Sequence, residues 1–291
     1  MKPAQFNYHR PESIDEALTL LEQHGDEAKI LAGGQSLVPL LNLRLASPEH
    51  IIDINRINDL DYIRVQDGYL AIGALTRHQQ VEYSELVRKN CPLLAECVFH
   101  IGHVAIRTRG TVGGSVVHAD PTAEIPLVLT VMDGEIGIRD SAGLRYVKPE
   151  QFFLTFLTTA IGSGELLAEI RIPLIEGNLG TSFLEVARRH GDFALVSAAA
   201  VVVLDDEGTI SRVRLGLGGV DGVPFLSQSI PEMLMGKKPS TELIEQATRS
   251  LYDEVSPISD LHASETYRRE VSVTLARRTL TQAVERATKQ Q

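Results

Sequence analysis

Apolar positions along this chain recur with two different periods, and the alternation between them predicts its elements. Ile14, Ala17, Leu18 and Leu21 fall on one helical face, Ser13 and Glu16 read as a capping box, and Gly25 closes the helix. A short apolar strand follows at Ala28–Ala32, then a turn at Gly33–Gly34. A helix containing Leu37, Leu40 and Leu41 comes next, with Ser36 as its expected cap, and then a second strand at His50–Ile54. Strand, helix, strand with a glycine turn predicts a small parallel α/β unit. Tyr69–Leu75 reads as a strand, Gln79–Lys89 and Leu93–Ile101 as helical stretches, and Val131–Val147 as a hairpin turning at Asp140–Gly143. Glu165–Leu174 is an alternating strand, and the segment Ile175–Gly180 marks a boundary. Beyond it, Thr181–Ala187, Val196–Asp205 and Ile210–Gly219 predict three antiparallel strands, with two helices after them. The last helix carries a stripe at Val273, Ala276, Leu280, Ala283, Val284 and Ala287. Arg268, Arg269, Arg277 and Arg278 lie around it and are expected on a solvated surface, with contact to a partner subunit as the alternative.

The chain has 291 residues and a formal net charge of −10. That balance disfavours nucleic acid or an anionic membrane as partner, because both reward clustered cations. No internal repeat is present. The longest apolar run, Leu195–Leu204, is broken by Ser197 and too short to span a bilayer, so no membrane insertion is expected. The first thirteen residues show no secretory apolar core. Two cysteines, Cys91 and Cys97, make a disulfide framework improbable and imply a cytoplasmic setting. They are also too few for a four-cysteine iron–sulfur cluster.

Two double glycines carry the chemistry. Gly33–Gly34 ends a strand beside Ser36, and Gly113–Gly114 is framed by Thr111 and Ser115. Glycine allows positive φ and removes the side chain that keeps backbone amides from an anion, so two such segments can clamp one phosphate-bearing ligand. The plainer alternative is that both pairs only mark turns. The stretch Gly216–Gly222 nearly spells a dinucleotide fingerprint, but Asp221 stands where the last glycine belongs and Pro224 follows, so it reads as a strand end and a turn.

Five segments occur together in order: AGGQSLVPLLNLRL (32–45) with HIIDI (50–54), RTRGTVGGSVVHADPTAE (107–124), GELLAEIRIP (164–173), RRHGDFALVSAAA (188–200) and YRREVSVTLARR (267–278). In this the chain resembles, over nearly its whole length, the FAD-binding medium subunit of molybdenum hydroxylases. That family includes carbon monoxide dehydrogenase, quinoline oxidoreductase and the flavin domain of xanthine dehydrogenase. The resemblance implies an α+β fold. A vanillyl-alcohol-oxidase-type (PCMH) FAD-binding domain would span residues 1–176, in α/β subdomains of about 1–56 and 57–176. A C-terminal domain of a three-stranded antiparallel sheet and helices would span 177–291. By similarity Ala32, Gly33, Gly34, Gln35 and Ser36 bind the pyrophosphate, and Thr111, Val112, Gly113, Gly114 and Ser115 complete the clamp. Ile101 would touch the adenosine or ribityl part, Glu124 would accept a ribose hydroxyl, and Leu167 would lie near the flavin ring. Arg188 and Arg189 would steady negative charge on the flavin, with plain exposed arginines as the alternative. Phe193 stands where relatives carry Tyr; it keeps the stacking face without the hydroxyl, with a plain core aromatic as the alternative.

The resemblance further implies FAD in this chain, with the molybdopterin cofactor in a large partner subunit and two [2Fe-2S] clusters in a small one. The assembly would be a dimer of heterotrimers. Electrons would pass from the clusters through FAD to an external acceptor, so no catalytic residue for substrate is expected here. The cysteine-bearing insertion of 4-hydroxybenzoyl-CoA reductase relatives is absent. The loop 115–124 looks closer to the quinoline enzyme's than to the carbon monoxide enzyme's, which leans toward an N-heterocyclic or aromatic substrate for the complex. The rival readings are a stand-alone flavin oxidase, a scaffold without flavin, and a metal-dependent hydrolase using His100, His103 and His118 with Asp120.

Overall fold

The computed structural model describes residues 2–290. Its N-terminal layer comprises β1 (Asn7–His9), α1 (Ile14–His24), β2 (Ala28–Leu31), α2 (Leu37–Leu43) and β3 (His50–Asp53). The sheet order is β1-β3-β2 with both pairings parallel. α1 buries Ala17, Leu18 and Leu21 in the same small core as Ile52 and Ile54. The expected capping box is half closed: the Ser13 hydroxyl accepts from the Glu16 amide at 3.2 Å, but the Glu16 carboxylate accepts from Glu12 at 2.8 Å instead of from Ser13. Ser36 is not a side-chain cap. Its backbone is already right-handed helical and its hydroxyl engages no amide of α2, which grows directly from the Gln35–Ser36 turn. β1 has only three residues, too few for any period to announce it.

The middle layer begins with β4 (Ile63–Gln66) and β5 (Tyr69–Gly73). Helices α3 (His78–Tyr83), α4 (Glu85–Asn90), α5 (Pro92–Val98), α6 (Val104–Arg107), α7 (Val112–His118) and α8 (Glu124–Val131) follow. It continues through β6 (Glu135–Asp140), β7 (Gly143–Val147), α9 (Pro149–Phe152), a small hairpin of β8 (Phe153–Thr155) and β9 (Thr158–Thr159), and β10 (Leu166–Pro173). The sheet runs β4-β5-β10-β6-β7, all antiparallel. The helical stretch expected at 79–89 is divided at Ser84, whose hydroxyl caps α4. The stretch expected to reach Ile101 ends at Val98. A bulge between Leu167 and Glu169 shifts the phase of β10. Leu167, Ile170 and Ile172 therefore enter the main core, while Leu166 and Ala168 close the N-terminal one.

The C-terminal layer holds β11 (Asn178–Ala187), β12 (Ala194–Leu204), β13 (Ile210–Gly218) and β14 (Phe225–Leu226), then α10 (Ser229–Leu234), α11 (Thr241–Arg249), α12 (Leu251–Glu254) and α13 (Glu265–Thr288). The meander has four strands where three were expected, and four helices follow where two were expected. The additional elements are short, so no repeat betrays them. β12 is buried along its whole length. Ala199 and Val201 face the main core shared with α8, and Val196, Ala198, Ala200 and Val202 face the core beneath α13. A strand covered on both faces loses its polar alternation, which explains the unbroken apolar run. Arg277 and Arg278 are exposed as expected, but Arg268 is only 5% exposed. It donates to the carbonyls of Leu195 and Gly219 and pairs with Asp260 at 2.6 Å, so it locks α13 to the end of β13.

Candidate functional site

Gly33 is a point of close backbone contact between the N-terminal and middle layers. A Cβ there would lie 2.4 Å from the Arg109 carbonyl oxygen and 2.8 Å from the Gly110 Cα. The next residue, Gly34, has φ 73°, in the left-handed region. Among the described residues, the amides of Gly33, Gly34, Gln35 and Ser36 donate to no protein group. Four successive N–H groups thus remain open beside a groove of about 440 Å³, lined by Ala32–Gln35, Asp53, Asn55, Ile106 and Arg109. Successive unpaired amides of this kind suit an anion, phosphate above all.

A polar bracket holds this segment. Asn55 Nδ2 donates to Ala32 O at 2.8 Å and to Asp53 at 2.6 Å. The half-buried Arg77 donates to Asn55 Oδ1 and to Arg109 O, both at 2.6 Å, so one guanidinium ties the two glycine segments together. Burial, and then the neighbouring Arg109, lower the Arg77 pKa, yet a guanidinium stays charged at neutral pH. Burial works to raise Asp53, but hydrogen bonds from Tyr8 and Asn55 outweigh it and hold the carboxyl below its ordinary value. Sequence reasoning passed over Asp53, Asn55, Arg77 and Arg109. The available signal was Asp53–Asn55 at the carboxyl end of a parallel strand, where α/β sheets place ligands.

The second segment differs from its expected form. Val112, Gly113, Gly114 and Ser115 are the first turn of α7, with Thr111 as its cap, and are not an open loop. The Val112 amide donates to Thr76 O at 3.0 Å, Gly113 to Ala74 O at 2.9 Å and Gly114 to the Thr111 hydroxyl at 3.1 Å. The glycine at 113 therefore admits protein: a Cβ there would lie 2.7 Å from that of Ala74. Gly114 keeps an exposed face. Behind this turn, burial pushes the His78 pKa down to about 4. The neutral ring donates from Nε2 to Thr111 O at 2.9 Å and anchors the segment.

The remaining expected site residues fall into two groups. Ile101 lies in the loop after α5, its carbonyl held by the buried Arg107, which also pairs with Glu82 at 2.8 Å. The β11–β12 turn leans on that loop: His190 stacks on Phe99, and a Cβ on Gly191 would meet the His103 ring. Arg188 pairs with Asp192 at 3.6 Å within the turn. Phe193 is 73% exposed, so it is not a core aromatic. Leu167 and Glu124 are instead interior. Burial, and then the Glu185 carboxylate, push Glu124 up to about 8, so it holds a proton at neutral pH. As a buried acid, it departs from the acceptor-only carboxylate expected for a ribose hydroxyl. Below about pH 4.5 the native and unfolded chains are equally protonated here. Between there and about 8 only the unfolded chain ionises, so stability falls as pH rises, by on the order of 5 kcal/mol in all. Up to about pH 6.5 the buried neutral His78 contributes an opposing rise, so thermal melting of the ligand-free chain should show the decline between about pH 6.5 and 8, and Glu124→Gln should remove it; an unchanged pH profile would remove Glu124 as its source.

The histidines of the hydrolase reading are dispersed. His100 sits 3.4 Å from Glu185, His103 packs on the 190–191 turn, and His118 ends α7; among the described residues they form no ligating group.

The arrangement matches known proteins along almost its whole length. Residues 4–175 match the family described as the FAD binding domain in molybdopterin dehydrogenase. The chain belongs to that family. Residues 181–283 of this flavin subunit match the carbon monoxide dehydrogenase flavoprotein C-terminal domain. It is 39% identical to the 6-hydroxypseudooxynicotine dehydrogenase complex subunit alpha of Paenarthrobacter nicotinovorans, covering 99% of this chain and 97% of that one. It is 38% identical to the glyceraldehyde dehydrogenase medium chain of Sulfolobus acidocaldarius, covering 93% and 95%. The solved carbon monoxide dehydrogenase from Hydrogenophaga pseudoflava, lacking the molybdenum-pyranopterin moiety, superposes with a TM-score of 0.95 at 34% identity over 98% and 99% of the two chains. The flavin subunit is thus an FAD-binding oxidoreductase component of the molybdenum hydroxylase type. No helix among the described residues is long and apolar enough to cross a membrane.

Proposed function

We propose that this subunit seats the FAD pyrophosphate on the amides of Gly33, Gly34, Gln35 and Ser36. The observation that carries the reading is that these four successive amides are unpaired beside the groove. Arg77 and Arg109 supply positive charge in a chain that is otherwise acidic. Thr111–Ser115 forms the opposing wall, presenting the exposed face of Gly114 and the Ser115 hydroxyl. Ile101 and the 188–193 turn, with Arg188 and Phe193, border the flavin end, where Phe193 stacks without donating a hydrogen bond. Leu167 supports that end from within the core, and Glu124 keeps its proton inside. Bound there, FAD supplies redox chemistry between iron–sulfur clusters in a small partner subunit and an external acceptor. The chain's own part is to bind, orient and shield.

A large subunit with the molybdopterin cofactor and a small one with two [2Fe-2S] clusters complete the complex, as a dimer of heterotrimers in the cytoplasm. The two cysteines, both free and buried, accord with a reducing setting. The two matched spans support a domain boundary near residue 177. An N-heterocyclic substrate for the complex is supported by the nicotine-derived compound in one relative's name; the glyceraldehyde relative at similar identity supports an aldehyde as the second reading.

Titration of the flavin-free chain with FAD should give one yellow equivalent per chain, and Arg77→Met should weaken uptake about 10- to 100-fold. Substrate should bleach the flavin only when both partner subunits are present. A folded chain that stays colourless in excess FAD overturns the seat, and steady substrate oxidation by the chain alone favours a flavin oxidase.

A further inference from the structure

Three histidines far apart in sequence meet at the other end of the N-terminal layer. His9 ends β1, His24 ends α1, and His50 begins β3. In the parallel register His9 pairs with Ile52 and Asn7 with His50. Both histidines therefore project from the sheet face that carries Ile52, the face covered by α1. His9 Nε2 and His50 Nδ1 are 2.8 Å apart, the His24 and His50 rings stack at 3.6 Å, and His9 and His24 are 5.0 Å apart between ring centres. One nitrogen from each ring lies within 4.8 Å of the others. Glu27 and Glu49 bring carboxylate oxygens within the same distance of His50. All three rings are half-buried, and the two glutamates are exposed.

We propose that His9, His24 and His50 form a site for a divalent transition-metal ion, Zn(II) by preference, with Glu27 or Glu49 or water as the fourth ligand. Three imidazoles with one oxygen donor is a donor set that zinc favours in tetrahedral geometry. Nitrogens around such an ion stand about 3.3 Å apart at the usual bond length, so the spacing needs only small adjustment. His24 leaves its stack on His50 by side-chain rotation, which its half-exposed position at a helix end permits. The α1 carboxyl terminus points its partial negative charge at the same place, which favours a cation. The ion would staple β1, a three-residue edge strand, to α1 and β3. His50 opens β3, whereas Asp53, beside the flavin groove, closes it; the two sites occupy opposite ends of one strand.

The test uses the full-length chain without an affinity tag, loaded with FAD and dialysed against graded ZnCl₂ before metal analysis. One Zn(II) per chain is expected, with a rise in melting temperature on zinc addition. His24→Ala should weaken binding about 100-fold or more and abolish the rise while leaving the flavin ratio unchanged. Co(II) in place of zinc should develop the intense visible bands of a four-coordinate site. His50→Gln, judged by flavin content and circular dichroism to be folded, serves as the second variant. Substoichiometric zinc, or zinc uptake equal in the wild type and both folded variants, overturns the proposal and leaves a stack of hydrogen-bonded histidines.

Discussion

Gly33→Ala should cost the flavin subunit most of its FAD. The added methyl would meet the Arg109 carbonyl oxygen at 2.4 Å and the Gly110 Cα at 2.8 Å. Both are backbone atoms, so no side-chain rotation relieves the contact. The two layers must separate, and the Arg77 hydrogen bonds that span them must lengthen. Overpacking of this kind costs about 3 kcal/mol, and it falls on the junction that shapes the groove. Gly34→Ala is the comparison. Its φ of 73° costs about 1 kcal/mol for a residue with a side chain, but its methyl would meet only the Val38 and Leu31 side chains, at 3.1 and 3.3 Å. The expected order of retained flavin, measured as the flavin-to-protein ratio after gel filtration, is wild type, Gly34→Ala, then Gly33→Ala. A Gly33→Ala protein with full flavin content would show that the close approach at Gly33 is dispensable.

Gly180→Ala should be the most destabilising glycine-to-alanine substitution in the C-terminal layer. A methyl on this β11 residue would lie 1.8 Å from the Ala283 carbonyl oxygen and 2.5 Å from the Ala287 amide nitrogen. α13 rests directly on the strand at this glycine. Around it, Ser182 donates to Gln282 at 2.9 Å, and Arg286 bonds the Thr181 carbonyl while pairing with Glu96 at 2.8 Å. Lifting the helix would break these contacts together, for a loss of about 3 kcal/mol or more. Urea midpoints would report it. Adding Ala283→Gly should not restore stability, because the obstructing atom is the backbone oxygen; rescue by that second change would show that the methyl of Ala283 is the real obstacle.

The two glycines also show where reading along the chain stops. The pair at 33–34 is visible as a break after an apolar strand, and its place beside an anion site follows from elementary backbone chemistry. That Gly33 itself serves contact with residue 109, leaving the open amides as the ligand surface, appears only when the layers are packed. The pair at 113–114 looks equivalent in sequence, yet its amides are bonded to Ala74 and Thr111. Arg268 resembles its exposed neighbours in composition, but is buried because Leu195 and Gly219 bring two carbonyls to it.

Local order was written in the chain. The amphipathic period of α1, the parallel β2–α2–β3 unit, the hairpin at Asp140–Gly143 and the long strands of the C-terminal sheet all follow from which positions avoid water within a few residues of one another. The order of the five motifs was enough to indicate a flavin-binding family. Packing decided the rest: the bulge that turns β10 between two cores, the double burial of β12, the Asn55–Arg77 bracket, the proton on Glu124 and the meeting of His9, His24 and His50. A pattern of polarity states which face of an element must be dry. It does not state which distant element covers that face, and every one of these features depends on the identity of the cover.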